Sequence, residues 1–153
     1  RNEDCGKDMV VWMNILFFLT PKSEVTYIYD NDTLGETLDK MEYNKYTEVP
    51  IIDHLDGTYL GTITEGDLLW EVKEQYDLSL NEAEDVPIMD VKRKRDNEPV
   101  EADANIEDLI SKILNQNFVP VIDDSDCFIG IITRKDVIQY LSRKCGMKEA
   151  VFV

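Results

Sequence analysis

Two stretches of the chain set a threonine and an aspartate three residues apart, behind a glycine and a pair of residues that includes isoleucine. They are Gly61-Thr62-Ile63-Thr64-Glu65-Gly66-Asp67 and Gly130-Ile131-Ile132-Thr133-Arg134-Lys135-Asp136. A carboxylate accepts hydrogen bonds from two vicinal hydroxyls at once, and a helix N-terminus offers unpaired N–H groups to a phosphate. A Thr-x-x-Asp pair at a strand-to-helix turn therefore suits a phosphorylated sugar. The same spacing is close to a capping box, in which the two side chains only satisfy the start of the helix. The two roles are compatible, since a cap holds the aspartate where a diol can reach it.

The stretches differ in charge. Glu65 and Gly66 stand between Thr64 and Asp67, whereas Arg134 and Lys135 stand between Thr133 and Asp136. A guanidinium grips phosphate through paired hydrogen bonds, and a glutamate beside it repels. Lys92-Arg93-Lys94-Arg95, the only basic run in the chain, precedes the second stretch. It reads either as a solvated linker face or as a further phosphate contact, expected at the second stretch if the linker folds over that edge. Together these features make Thr133, Arg134 and Asp136 the expected site for a phosphorylated sugar. The many carboxylates have no neighbouring His, Cys or glycine-rich loop to complete a catalytic mechanism, so no enzyme and no catalytic residue is expected. Three scattered cysteines (Cys5, Cys127, Cys145) and one histidine (His54) do not suggest a metal site or a disulfide framework. They suit a reducing cytoplasm. Tyr43, Tyr46 and Phe118 are candidates for stacking on a flat ring, with core packing the more ordinary duty.

The formal net charge of -16 works against binding to nucleic acid or to anionic membranes. At 43% hydrophobic residues, 153 residues can bury a real core. The apolar stretch over 10–19 is too short to span a bilayer and contains Asn14. It is expected as an N-terminal helix buried against the core or a second copy. Residues 1–13 are expected as an N-terminal extension, and Met13 is a candidate start, which would leave 1–12 with little structural duty. Trp12, Trp70 and Phe152 are candidates for a dimer seam.

The elements that must position these groups come in two copies. Val49-Pro50-Ile51-Ile52-Asp53 recurs as Val119-Pro120-Val121-Ile122-Asp123. The glycine-to-aspartate stretches follow at spacings that differ by one residue, which places the difference in a turn. Upstream, Leu34, Leu38 and Met41 match Ile106, Ile110 and Ile113, the stripe of a short amphipathic helix. Asp32-Thr33 and Asp103-Ala104-Asn105 stand where caps belong. Each copy thus reads strand, helix, strand, strand, helix. The strands fall over 25–29, 49–52 and 59–63, then 99–101, 119–122 and 128–132, with closing helices near 65–75 and 134–142. The copies span 14–75 and 88–142, joined by a linker at 76–87 and followed by a tail at 143–153. Residues 76–98 lack a clear period, apart from one helical turn around Leu80 to Ala83. A half of roughly 55 residues is marginal alone. Two halves packed sheet against sheet leave a cleft between them, a natural ligand site.

The ordered pair of copies resembles the CBS domain in tandem, the Bateman module, and is similar to stand-alone bacterial CBS-pair proteins. The resemblance covers about residues 14–142. It implies an α/β (α+β) fold in which two CBS repeats pack with pseudo-two-fold symmetry, their three-stranded sheets facing each other, often as a homodimer. It implies an adenosine-containing ligand of the AMP, ATP, S-adenosylmethionine or cyclic di-AMP class. In the family the aspartate matching Asp136 accepts from the ribose hydroxyls and the threonine matching Thr133 lies near ribose and phosphate. Val119 and Pro120 would present backbone beside the adenine, and Val49, Pro50, Thr64 and Asp67 are the counterparts in the first repeat. The expected function is a cytoplasmic regulatory module that binds an adenine nucleotide and signals to an unidentified protein partner, without a cofactor. The alternative is a dimerising interaction module with vestigial nucleotide sites.

Overall fold

A computed structural model describes residues 14–146. The first described element is a 3₁₀ turn, Ile15–Phe18, followed by strand β1 (Thr20–Pro21). The first repeat then runs β2 (Ile28–Tyr29), α1 (Leu34–Asn44), β3 (Glu48–Ile52), β4 (Tyr59–Thr64) and α2 (Glu65–Tyr76). The short helix α3 (Leu80–Ala83) lies in the connection. The second repeat runs β5 (Val100–Glu101), α4 (Ile106–Ile113), β6 (Phe118–Ile122), β7 (Phe128–Thr133) and α5 (Arg134–Lys144).

Local chemistry accounts for the helix starts. Thr33 Oγ1 accepts from the Glu36 N–H at 3.2 Å, and Asn105 Oδ1 accepts from the Asp108 N–H at 2.8 Å. Each satisfies one of the orphan donors of its helix. Leu34 and Met41 of α1, and Ile106, Leu109 and Ile113 of α4, are buried and carry those helices onto their sheets.

Each repeat builds the same sheet. β2 runs parallel to β3 and β3 antiparallel to β4; β5 runs parallel to β6 and β6 antiparallel to β7. Both hairpins slip register at the same point, Ile51/Ile52 and Val121/Ile122. The parallel pairings reach only Ile51 and Ile52 on β3, and only Val121 and Ile122 on β6. Pro50 and Pro120 therefore sit where one side of the strand has no neighbour to bond, the setting in which a strand tolerates proline. The expected strand over 25–29 shrinks to Ile28–Tyr29 for the same reason.

The expectation of two three-stranded sheets needs correction. β1 pairs antiparallel with β7, Thr20 opposite Ile131 and Pro21 opposite Gly130. The second sheet has the order β1-β7-β6-β5, while the first has three strands, β2-β3-β4. The segment covers an edge that would otherwise be open, and it fits because Gly130 has no side chain: a Cβ there would run into the Thr20 carbonyl. The expected N-terminal helix is likewise replaced, over its described part, by the 3₁₀ turn. Asn14 Oδ1 caps that turn by accepting from the Leu16 N–H at 2.9 Å, and the chain extends beyond it to pair with β7. Residues 10–13, like Cys5, Trp12 and Phe152, lie outside the described residues.

The core is double. Ile28, Leu34, Met41, Val49, Ile51, Ile63 and Leu68 belong to the first cluster. Val100, Leu109, Val119, Val121, Ile132 and Val137 belong to the second, joined by Ile15 and Phe18 from the N-terminal turn. The hairpin tips meet across the pseudo-two-fold: Thr58 bridges to Cys127, and the Phe128 N–H donates to the Gly57 carbonyl at 2.9 Å. Among the described residues, no helix is long and apolar enough to cross a membrane.

Candidate functional site

Alternation along a strand decides which side chains face the cleft. Val49 and Val119 point inward and are fully buried in the two cores. Pro50 points into the space between the repeats. That space has two mouths, which share Glu48 and Asn117.

The second mouth has a volume of about 270 Å³. Its apolar walls are Val25, Pro50, Phe118 and Ile131, and its polar groups include Thr26, Thr47, Asn117 and Thr133. Tyr46, 46% exposed, stands at its edge. Thr133 comes from the second repeat, whereas Val25, Thr26, Tyr46, Thr47 and Pro50 come from the first. The mouth is thus composite, and Val119 and Pro120 do not line it. Thr133 Oγ1 caps α5 by accepting from the Asp136 N–H at 3.2 Å. The cap is one-sided: among the described residues nothing hydrogen-bonds or pairs with the exposed Asp136 carboxylate, one helical turn from the cavity.

The first mouth, about 290 Å³, has the related composition in reverse. Thr64 and Asp67 of the first repeat meet Lys94, Arg95 and Asn97 of the linker and 115–117 of the second repeat. Here the capping box is complete. Thr64 Oγ1 accepts from the Asp67 N–H, and Asp67 Oδ2 accepts from the Thr64 N–H, each at 3.1 Å. The other carboxylate oxygen accepts from the Lys94 N–H at 3.1 Å, and Asp67 is only 4% exposed.

The geometry places two charged groups differently from the sequence-based expectation. Arg134 lines neither mouth: its Nε donates to the Ile113 carbonyl at 2.8 Å, closing the C-terminal end of α4, where a cation is favoured. The basic run sits at the first mouth and not the second. Residues 94–97 must cross β4 before entering β5, and that path takes Lys94 and Arg95 past Asp67. Arg93 pairs with Asp96 at 2.8 Å, and Lys92 lines neither mouth. The second mouth is instead rimmed by Glu24 and Glu48.

Val25, Thr26, Thr47 and Asn117 were absent from the sequence-based site. Their signal was position: Thr47 and Asn117 occupy the same place two residues before the repeated Val-Pro. Tyr43, 87% exposed, lines neither mouth. Away from the cleft, Asp30, Asp53 and His54 bring ligand-type atoms within 4.8 Å of one another. They already serve as a turn clamp. His54 Nδ1 and Asp30 Oδ1 are 2.8 Å apart, and Asp53 Oδ1 accepts from the Leu55 and Asp56 N–H groups.

The family model of the CBS domain matches residues 18–74 and 85–143. A curated relative, the Methanocaldococcus jannaschii protein MJ1225, is 22% identical over 144 residues, 87% of this chain. The chain spans 51% of that relative's length. The solved structure of CbpB in complex with c-di-AMP is 25% identical with a TM-score of 0.80, the alignment covering 92% of each chain. The CBS domain protein from Streptococcus pneumoniae TIGR4 is 26% identical with a TM-score of 0.78, covering 94% of this chain and 97% of that one.

Proposed function

The chain belongs to the CBS domain family, and from that premise we propose that it is a regulatory module binding an adenine nucleotide at the second mouth. The carrying observation is the unpartnered Asp136 carboxylate one helical turn from Thr133, which lines a cavity with apolar walls and a polar rim. The solved CbpB complex with c-di-AMP supports the ligand class. In this reading Val25, Pro50 and Ile131 flank the adenine. Glu48, Thr47 and Asn117 offer acceptors to its exocyclic amine, and Asp136 accepts from the ribose hydroxyls. The N-terminus of the eleven-residue helix α5 faces the phosphate. A cavity of about 270 Å³ lies just below the roughly 300–1,000 Å³ of ordinary ligand pockets. It therefore holds the nucleoside and leaves the phosphate end at the rim, where a partner protein can sense it.

Calorimetric titration with AMP, ATP and cyclic di-AMP tests this reading. At least one ligand should bind the wild type, and Asp136→Ala should weaken it by roughly ten- to a hundredfold, the worth of hydrogen bonds to a charged acceptor. Silence from all three ligands, or equal binding by Asp136→Ala, rejects it.

The reading includes a homodimer. Leu69 and Trp70 of α2 are 55% and 52% exposed, and Leu80 of α3 is also exposed on the first repeat. Apolar surface of this kind, gathered on helices, is characteristic of an association face. Sedimentation at tens of micromolar, on the order of a weak association constant, should give twice the chain mass, and a monomer at that concentration counts against the dimer.

A further inference from the structure

We propose that residues 93–97 form a latch that keeps Asp67 of the first mouth covered and hydrogen-bonded, with Asp96 as its pin, so that only the second mouth offers a free aspartate to a ligand. The exclusion of ligand rests on the nucleotide reading above; the latch itself does not.

The latch is bonded on three sides. Toward the mouth, the Lys94 N–H occupies the last free oxygen of Asp67. Toward β4, Asp96 Oδ1 accepts from the Thr62 N–H at 2.9 Å, the Asn97 N–H donates to Thr62 Oγ1 at 3.4 Å, and the Tyr59 hydroxyl donates to the Asn97 carbonyl at 2.7 Å. Toward the second repeat, Arg95 donates to the Asn115 carbonyl at 2.6 Å. Arg93 holds the pin from behind, Nε to Asp96 Oδ1 at 2.8 Å and Nη2 to Oδ2 at 3.3 Å. Gly61 makes the approach possible, since a Cβ there would stand 2.6 Å from Asp96 Oδ1.

The matching place in the second repeat shows what the latch changes. There β1 lies on β7 at Gly130, and the chain turns away through a 3₁₀ turn, Lys22–Glu24, without reaching Asp136. The Asp136 carboxylate is exposed, while Asp67 is buried with one donor on each oxygen. With Asp67 only 4% exposed, a ribose entering the first mouth would reach its carboxylate only by moving the Lys94 amide that lies against it, leaving that donor without its partner. The cations Lys94 and Arg95 at this mouth therefore do not by themselves make it a nucleotide site.

Hydrogen exchange at the Lys94 amide, measured on the unliganded chain and corrected for its unstructured rate, reads the latch without any ligand. AMP stoichiometry by calorimetry reads the exclusion. Protection of Lys94 should fall at least roughly tenfold in Asp96→Ala, and this variant should take one more equivalent of AMP than the wild type, which takes one. Arg93→Gln, which leaves the bond to Thr62 in place, should fall between them and serves if Asp96→Ala does not fold. Unchanged Lys94 protection in both variants overturns the latch. Two equivalents in the wild type, or a deprotected variant that gains none, overturns the exclusion. Failure of the wild type to bind AMP, with protection still lost and one equivalent gained in Asp96→Ala, removes the nucleotide reading of the second mouth and leaves the latch standing.

Discussion

At the scale of single residues, the two halves differ most where their sequences look most alike. Gly61 and Gly130 occupy the same repeat position, and both are there because another segment comes close. At Gly130 the neighbour is the backbone of Thr20, whereas at Gly61 it is the side chain of Asp96. His54 and Asp30 show a second difference, since Asp124 and Ala102 stand at the matching positions. The His54 ring hydrogen-bonds the Asp30 carboxyl and holds it below the usual carboxylate range, with the His54 N–H adding to the effect. A carboxyl whose folded value is depressed stabilises the fold at pH values above its unfolded value, about 3.9. That contribution disappears as the pH falls through the folded value. Asp30→Asn should therefore be less stable than the wild type at pH 6, with the gap closing as the pH falls from the unfolded value of about 3.9 through the depressed folded one. Urea midpoints measured across that interval check the sign. A gap that widens on acidification contradicts it.

At the scale of elements, the repeated strands and helices were legible because the apolar pattern occurs twice and each copy checks the other. Helices at 65–76 and 134–144 and the turn Leu80–Ala83 fall where the sequence places them. The finer faces were less legible. In α4 the expected stripe used Ile110, but Leu109 is fully buried and Ile110 only partly, because α4 presents the 106–109–113 side to the second core. The N-terminal stretch misled for a different reason. Its apolar residues suit a helix locally, but an open strand edge on the second repeat offers the segment hydrogen bonds that a free helix end does not. The candidate site was half legible. Thr133, Asp136, Thr64 and Asp67 carry a motif that can be read from the chain, whereas Val25, Thr26 and Thr47 meet Thr133 only through the packing of one repeat on the other. The basic run was legible as charge but not as place, since its position depends on which strand the linker crosses.

At the scale of the whole molecule, the chain is laced across its own symmetry axis. Ile15 precedes the first repeat in sequence yet lies fully buried in the second core with Phe18. β1 joins the second sheet, residues 94–97 lie on β4 of the first repeat before entering β5 of the second, and the hairpin tips bridge at Thr58 and Cys127. Neither half is expected to be stable alone, so loss of one should carry the other with it. Ile15→Ala tests this coupling at its most remote point. Truncating a fully buried isoleucine costs about 2–5 kcal/mol, and the direct damage is confined to the second core. Urea unfolding is followed by amide exchange at Ile63 in the first core and Ile132 in the second. The wild type should give one transition at both positions, and Ile15→Ala should move both to lower urea together. If the variant lowers protection at Ile132 alone, the repeats unfold independently and the crossings are contacts of little energetic weight. Coincident shifts would mean that a change in either repeat, including occupation of the second mouth, is felt through the whole chain, as a module that reports its ligand to a partner requires.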